Sequence, residues 1–447
     1  MIKRVKSKYS SKFRRGTFLP IILMISTIFL AFVGALMGIA LSNVKRATHH
    51  EKLVSELNIA EAGINYYLWH LSHNKEDYCD GATCPQNPPY GPYHHDYTNA
   101  SGEIIGSFDL TITPPDQGDS TVEIKSVGKM LNSKSERTII AEIGVPSFAK
   151  YAFLSNTESW FGDNESTAGP VHSNVGIHFD GIANGLVTAS SKKYTPTSTF
   201  GGDGSEYDGV WGEGGPKGYW VFPVPAVDFN KISADLAAIK TEANTGGVFL
   251  DNSKSSGYHI ILKEDGSFDL YLVSKERSSG ITTEFVRNYP KPAKGVVYVN
   301  DNVWVSGTYS GKITIAAEKS SGQSAKIKIH DNLLYKAKDG SAAIGLVSQG
   351  NIEVPSYATG TLEIDAALLS ATGHVWFPYA DNAVKDTITV YGAIATFDYW
   401  TWTWVSGTTT LAGYAHTNQT YDPFLTLSPP PQFPTTGTYA ILNWKEE

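Results

Sequence analysis

The longest pattern in the chain is an apolar run over residues 18–41 that contains no charged side chain. About 20 consecutive apolar residues are enough for a helix to cross a bilayer core, so this run is long enough. After it, apolar residues recur at steps of three and four, which places them on one face of a helix. They are Leu53, Leu57, Ala60, Ile64, Tyr67 or Leu68, and Leu71. No proline or glycine cluster separates the two parts. We therefore predict one long helix, with a membrane-spanning part (17–42) and an amphipathic continuation (43–75).

Alternating apolar and polar residues predict β-structure in much of the remaining chain. A small β module is expected over 76–145, where it would cover the amphipathic part of the helix. Its clearest strands are 107–113, 121–126 and 138–143. The next region, 146–294, is rich in glycine and aromatic residues. It is expected to hold one helix near 228–243 and a hairpin over 258–290.

From residue 295 onward, very short strand patterns are separated by Asn-Asp, Ser-Gly, Asp-Gly and Gln-Gly turns. Many short strands at close spacing, with no helix between them, are typical of a solenoid, a barrel or a sandwich. We predict that 295–447 forms a right-handed β-helix or a similar solenoid-like head, because each rung of such a coil needs turn residues at its corners. A β-sandwich is the alternative. The fold class is therefore mainly β with one long, membrane-spanning N-terminal α-helix.

The charge distribution indicates orientation and excludes one class of partner. The chain has 447 residues, with 36 Lys and Arg against 44 Asp and Glu, and a net charge of −8. This balance argues against nucleic-acid binding, which needs clustered Lys and Arg. The densest basic cluster lies within 1–16, and the positive-inside rule makes it a cytoplasmic leader with the bulk of the chain outside the cell. A cleaved secretory signal is the alternative, but the apolar run exceeds the usual length and no A-x-A site follows it.

The chain contains only two cysteines, Cys79 and Cys84, close to the expected end of the helix. Two cysteines are too few for a structural zinc site. Outside the cell they would close a small disulfide loop, since that compartment is oxidising. Two reduced thiols in a loop are the alternative. We expect neither a metal nor a cofactor.

The N-terminal part combines a basic leader, a glycine at position 16, a long apolar helix and an amphipathic continuation. The continuation includes the phrase Ile59-Ala60-Glu61-Ala62-Gly63. Over 1–75 this order resembles the PilX N-terminal family of minor-pilin-like proteins tied to type IV pilus assembly, whose hallmark phrase is similar to A-x-x-A-E-A-G. The expected solenoid over 295–447 resembles the β-helical extensions found on such proteins.

The resemblance implies that a prepilin peptidase cuts after Gly16 and leaves Thr17 as the first residue. The fifth residue of the mature chain is then Ile21, where type IV pilins usually carry a glutamate that pairs with the N-terminus of the neighbouring subunit. Because Ile21 cannot form that pair, a tip, low-copy or membrane-retained role is favoured over a bulk subunit. The implied partners are the membrane and pilins or pilus-assembly proteins. The implied function is non-enzymatic and concerns pilus assembly, adhesion or surface attachment.

The sharpest local signal in the head is the alternation of Trp400, Trp402 and Trp404 with two threonines. On a strand, all three indoles would share one face. Aromatic side chains usually serve burial, so a core or cap of the solenoid is the first interpretation. The alternative is an exposed face that binds cell-surface glycans or a partner protein.

Motifs of catalysis and metal binding are weak. His172, His178 and Asp180 are the residue types of a two-histidine, one-carboxylate site, but their spacing does not define its geometry. A nucleophile elbow, an H-E-x-x-H helix and a phosphate loop are all absent from the sequence. We therefore predict that the protein is not an enzyme. A β-helix that cleaves polysaccharide is the least favoured alternative, because the acids of such enzymes meet only in the fold.

Overall fold

The structure is a computed structural model that describes residues 18–74, 76–115, 121–163, 165–407, 409–437 and 439–447. Its first element is a single helix, α1 (Phe18–His73), of 56 residues. At 1.5 Å per residue, α1 is about 84 Å long. The prediction of one long helix is confirmed.

The two parts of α1 have different surroundings. Apolar side chains from Phe18 to Val44 are exposed, whereas the buried residues begin at Glu56 and end at Leu71. Within the described residues, α1 is the one helix long and apolar enough to cross a membrane, with a mean hydropathy of 2.5 over its most apolar 18 residues. The first part of α1 therefore exposes apolar side chains on all sides, and the second part belongs to a folded module.

The folded module is an antiparallel sheet packed on α1. Its first four strands are β1 (Tyr90–Thr98), β2 (Ile104–Thr113), β3 (Thr121–Met130) and β4 (Arg137–Gly144). In β2 and β3 buried side chains alternate with mostly half-buried ones, so that one face of the sheet meets the helix. The apolar core between them contains Ile59, Tyr67, Leu110, Ile124 and Ala141. This sheet lies over the second part of the helix, and the predicted domain boundaries of 76–145 stay a prediction.

The remaining strands form the head and are mostly short. The first group lies before the second helix: β5 (Phe153–Ser155), β6 (Ser159–Phe161), β7 (Ser166–Thr167), β8 (Val171–Ser173), β9 (Ile177–Phe179), β10 (Ile182–Ala183), β11 (Val187–Ala189), β12 (Lys193–Tyr194), β13 (Tyr207–Asp208), β14 (Val210–Trp211) and β15 (Trp220–Val221). Helix α2 (Ile232–Thr245) follows, at the place where the sequence predicts a helix. A short 3-10 turn, Phe229–Lys231, leads into α2, and Asp228 caps the turn by accepting a hydrogen bond from the Asn230 N–H.

The second group of head strands follows α2: β16 (Val248–Leu250), β17 (Gly257–Leu262), β18 (Phe268–Arg277), β19 (Gly280–Tyr289), β20 (Val296–Val299), β21 (Val303–Tyr309), β22 (Lys312–Ala317), β23 (Ile327–Lys328), β24 (Leu333–Tyr335), β25 (Ala343–Ser348), β26 (Ile352–Glu353), β27 (Thr361–Ser370), β28 (Val375–Trp376), β29 (Val384–Thr396), β30 (Trp400–Thr401), β31 (Thr403–Ser406) and β32 (Thr409–Tyr421). The last strand, β33 (Ala440–Glu446), leaves the head. It pairs antiparallel with β4 as the fifth strand of the helix-bound sheet.

Most head strands stack in parallel ladders. One ladder runs β16-β20-β22-β25-β27-β29, a second runs β17-β21-β23-β26-β28-β30, and a third runs β21-β24-β27-β29-β32. Parallel stacking favours the predicted β-helix over the β-sandwich, which packs antiparallel sheets. The handedness of the coil stays a prediction. The mainly β fold with one long apolar N-terminal helix is confirmed.

The order of the rungs differs from the order of the chain. β29 pairs in parallel with β5, and β5 is followed by β8, β11 and β15. The chain therefore enters the stack in its middle, coils to one end at β15, crosses to the opposite end at β16 and coils back to β29. One buried column continues across the junction, with Leu368, Ile394, Phe153 and Val171 on successive rungs. The two halves of the head thus share one core.

The crossing segment lies along the outside of the stack. The Val224 N–H donates to the Ala189 carbonyl, and the Asn174 side chain bonds both backbone groups of Val227. Further along, the Phe229 ring packs edge-on against Phe397 at 6.1 Å. Helix α2 then packs against β16 and β20 with its apolar side, and so covers the end of the stack at which the second half begins.

Candidate functional site

The junction between α1 and its sheet depends on the absence of side chains at two glycines. A Cβ on Gly63 would lie 2.3 Å from Ser126 Oγ and 2.9 Å from Phe108 Cδ2. A Cβ on Gly128, in β3, would lie 2.3 Å from the Ala60 nitrogen and 2.4 Å from the Glu56 carbonyl oxygen. All four distances are shorter than non-bonded contacts allow, so a glycine is needed on each side for the helix to lie this close to the sheet. Gly63 is the last residue of the phrase that carries the family resemblance.

The other predicted residues of α1 are less buried than Gly63. Ile21 is exposed in the apolar first part, Glu61 is exposed and Ala62 is half-buried. Glu61 borders a pocket of about 180 Å³ between α1 and β33. The remaining lining residues are Ile64, Asn65, Ile139, Ile441 and Trp444. The strand that returns from the head thus forms one wall of a groove beside the predicted helix motif.

A buried carboxylate in the same junction was not found by sequence reasoning. Glu56 is fully buried and accepts a hydrogen bond from Ser135 Oγ at 3.0 Å. Its second oxygen, Oε2, has no hydrogen-bond partner among the described residues. Glu56 precedes Ile59 and Ala60 on the buried face, so its place on the helical stripe is the sequence signal that marks it.

The C-terminal end of α1 is held by a polar cluster around a disulfide. The structure joins Cys79 and Cys84, with a Cα–Cα distance of 5.3 Å. Asp77 accepts hydrogen bonds from the backbone N–H groups of Cys79 and Gly81 and lies 3.1 Å from His70 Nε2. Burial alone would raise the pKa of the Asp77 carboxyl, but these backbone bonds and His70 together lower it. A charged Asp77 therefore fastens the loop to the last turns of α1.

A second aspartate, Asp80, extends this cluster to the sheet. Tyr66 donates its hydroxyl hydrogen to Asp80 Oδ1 at 3.0 Å, and His95 Nε2 lies 2.8 Å from Asp80 Oδ2. Burial, followed by the bond to Asp80, raises the pKa of Tyr66 to about 12. The loop thus connects α1 to β1, which is the far edge of the sheet from β33.

The three predicted tryptophans do not lie on one continuous strand. The chain bends at Trp402 between β30 and β31, because Thr401 Oγ1 bonds both the N–H and the carbonyl of Thr403. Trp402 is buried in the core. Trp400 is half-buried and stacks on Phe153 at 4.7 Å, and Trp404 is half-buried and donates from Nε1 to the Phe377 carbonyl. Glycan binding by this set stays a prediction.

The two predicted histidines lie in separate places. His172 is buried and bonds Thr188 and Asn174, whereas His178 Nε2 lies 3.1 Å from Asp180 Oδ2 on the outer wall. Burial lowers the pKa of His172. No cluster of three His, Cys, Asp or Glu side chains suited to a metal ion occurs among the described residues.

An outward column of aromatic rings stands on β6, β9 and β14. Trp160 stacks on His178 with ring centroids 5.1 Å apart and planes at 3°. His178 stacks on Trp211 at 3.7 Å, and Trp211 stacks on Tyr207 at 3.9 Å. Sequence reasoning missed this column, because its members lie up to 51 positions apart and meet only when rungs pair in parallel.

A cleft of about 760 Å³ lies between α2 and the proline-rich return segment of the head. Its charged lining residues are Asp235, Glu242, Lys291, Lys294 and Lys312. Glu242 is paired with Lys294, whose Nζ lies 2.6 Å from Oε2. The cleft therefore presents mixed charges, and this ion pair holds α2 to the segment that leads into β20.

Comparisons with known proteins give little further information. No protein-family model matches the chain, and no curated protein matches it. Among solved structures, the chain is similar to the competence-associated pilin ComZ from Thermus thermophilus, with a TM-score of 0.30 and 12% sequence identity. The superposition covers 89% of this chain and 98% of ComZ. A TM-score at this level does not establish a shared fold.

Proposed function

We propose that this chain is a minor-pilin-like surface protein of the PilX type. Its N-terminal helix inserts in the membrane with the basic leader in the cytoplasm, and its β-rich head is displayed outside the cell. Its partners are pilins or pilus-assembly proteins, and its role is in pilus assembly, adhesion or surface attachment. The proposal describes a structural protein and not an enzyme.

One observation carries the proposal: α1 is continuous, yet its first part is apolar and exposed while its second part is buried against a sheet. Exposed apolar side chains over this length are costly in water and favourable in lipid or between other apolar helices. The close contact at Gly63 and Gly128 holds the folded module rigidly on the same helix. Such a helix can serve as a membrane anchor before assembly and as a packing surface afterwards.

The head is an insertion in the helix-bound module. The chain leaves the sheet after β4 and returns to it as β33, with a bridge between Ser147 and Thr435 where the two connections pass. This arrangement supports a display function, because both ends of the head are fastened to the module that carries the helix.

The proposal is tested by the N-terminal mass of the mature protein, made in cells with its cognate prepilin peptidase. We expect a membrane-fraction protein that begins at Thr17. Gly16→Val is the matched control, since a branched side chain at the cut should leave the leader attached. Protease treatment of intact cells should remove the head. A protein that fractionates with soluble cytoplasmic material, or a head protected in intact cells, would contradict the proposal.

A further inference from the structure

The aromatic column on the outer wall ends in an indole that is held in place but left open on one side. Trp160 is 44% exposed, although His178 covers one face of its ring. The exposed area is therefore mainly the opposite face.

The orientation of this indole is fixed by hydrogen bonds. Trp160 Nε1 donates to Asp180 Oδ2 at 3.2 Å, and the same carboxylate lies 3.1 Å from His178 Nε2. Asp180 Oδ1 accepts the Glu213 N–H at 3.0 Å. One carboxylate thus aligns the first two rings of the column and ties them to the neighbouring loop. A ligand would therefore find the indole already positioned and would not lose side-chain freedom by ordering it.

The rings behind Trp160 add rigidity to the platform. Trp211 Nε1 donates to the Tyr194 hydroxyl at 2.9 Å, and the Tyr194 ring fills the space next to Gly176. The column therefore cannot slide or tilt without disturbing the wall. A flat, fixed, half-open indole on the outer wall of the head suits a ligand with a flat apolar face and polar edges.

We propose that the open face of Trp160 binds a neutral pyranose ring whose substituents are all equatorial, as in β-linked glucose or N-acetylglucosamine polymers. Such a ring presents a face of C–H groups to the indole and its hydroxyls to the rim. The hydrogen-bond partner of Trp160, Asp180, is acidic, and so are the charged residues nearest to it in sequence, Glu158 and Asp163, which we take as the rim of the site. This rim disfavours uronic acids and other anionic sugars. The inference is independent of whether the helix joins a pilus.

The test uses full-length protein in detergent micelles and measures calorimetric binding of cellohexaose and chitohexaose, with polygalacturonate oligomers as the anionic comparison. Wild-type protein should bind at least one neutral oligosaccharide saturably and the anionic one at least tenfold more weakly. Trp160→Ala should weaken binding by about tenfold or more, because the stacking face is lost. Trp69→Ala is the matched control, since Trp69 is an exposed indole on α1, and it should bind like wild type.

Two variants keep the test decisive if Trp160→Ala disturbs the fold. Trp160→Phe retains a ring and should retain measurable binding, while Trp160→Leu of similar bulk should not. Asp180→Asn keeps the size of the side chain but weakens the bond that orients the indole, so binding should weaken less than in Trp160→Leu. Absence of saturable binding by wild type to either neutral oligosaccharide would overturn the inference. Equal binding of polygalacturonate, or unchanged binding in Trp160→Leu, would also overturn it.

Discussion

Replacing Gly63 by alanine tests whether the helix and its sheet meet through a contact that allows no side chain. The added Cβ would lie 2.3 Å from Ser126 Oγ and 2.9 Å from Phe108 Cδ2, so at least one neighbour must move. Overpacking of this kind typically costs about 1–3 kcal/mol. Alanine is favoured over glycine within a helix by about 1 kcal/mol, which offsets part of the cost. Because the added Cβ approaches two neighbours within 3 Å, we place the overpacking cost in the upper half of its range and expect a net loss of roughly 1–2 kcal/mol in the stability of the helix-bound module.

The neighbour that must move supplies an internal test. Ser126 Oγ is buried and has no hydrogen-bond partner within the described part of the chain. Removing this hydroxyl in Ser126→Ala should leave the stability of the module unchanged or slightly raised, because no hydrogen bond is lost. The double variant Gly63→Ala/Ser126→Ala should then recover most of the stability, with a coupling of about 1 kcal/mol. Recovery should be incomplete, since the contact to Phe108 remains.

Hydrogen exchange followed by mass spectrometry can measure the stability of the helix-bound module separately from that of the head, with the protein in micelles. A loss of 1–2 kcal/mol should speed exchange of the β3 amides roughly 5–30-fold, while peptides from β25 in the head should not change. Gly38→Ala is the matched control, because a Cβ there meets no atom within 4 Å and should leave β3 unchanged. Unaltered exchange in Gly63→Ala, or a double variant no better than the single one, would refute the close-contact argument.

Three further predictions concern the loop, the buried histidine and the core of the head. Replacing Cys79 and Cys84 by serine should destabilise the C-terminal end of α1 by about 2 kcal/mol, seen as faster exchange there and matched by adding reductant to wild type. Burial lowers the pKa of His259 to about 3. The unfolded chain therefore takes up the proton first, and the head should lose stability as pH falls below about 6.5. In urea unfolding, the free energy of unfolding of the head should depend less on pH in His259→Gln than in wild type. An identical pH dependence in the two proteins would contradict this. Leu346→Ala should cost the head about 2–5 kcal/mol in the same assay, whereas exposed Leu186→Ala should change it by less than about 0.5 kcal/mol.

The helix and the helix-bound sheet could be predicted because their signals are local. The apolar run and the three-to-four spacing define α1, and alternation at period two defines β2 to β4. The partner of the C-terminal strand could not be predicted in this way. A strand pattern over Tyr439 to Trp444 says which side chains alternate, but pairing with β4 is decided by where the head returns the chain.

The stacking of strands in the head could be predicted only in part from the sequence. A buried column of hydroxyl residues marks the same corner on successive rungs, with Ser348, Ser370, Thr396, Ser155 and Ser173 in register. Each donates to a backbone carbonyl in the same corner of the neighbouring rung. In sequence, each hydroxyl stands four or five residues before the next strand. The uneven rung lengths hide this signal from a search for a fixed period.

Among the candidate site residues, some could be found from a local sequence pattern, whereas others are brought together only by the fold. Gly63 was found through a motif, although the reason for a glycine there lies in β2 and β3, far along the chain. The alternating tryptophans predicted one shared face, but the hydrogen bonds of Thr401 break the strand and turn Trp402 into the core. Trp160, His178 and Trp211 show no local pattern, because parallel pairing alone brings them together.

The paired connections between the module and the head determine how the protein would respond to tension. Ser147 and Thr435 are bridged, and Gly144 lies opposite Ala440 at the ends of β4 and β33. A pull on the head is therefore shared by two chains side by side, and the coil is never drawn out between its own termini. Because β4 and β33 move together under such a load, the hydrogen bonds between them are spared. The load falls on the β3–β4 pairing, where eight residue pairs in register share it in shear. The head would thus stay folded under a force that stretches a tandem arrangement of domains.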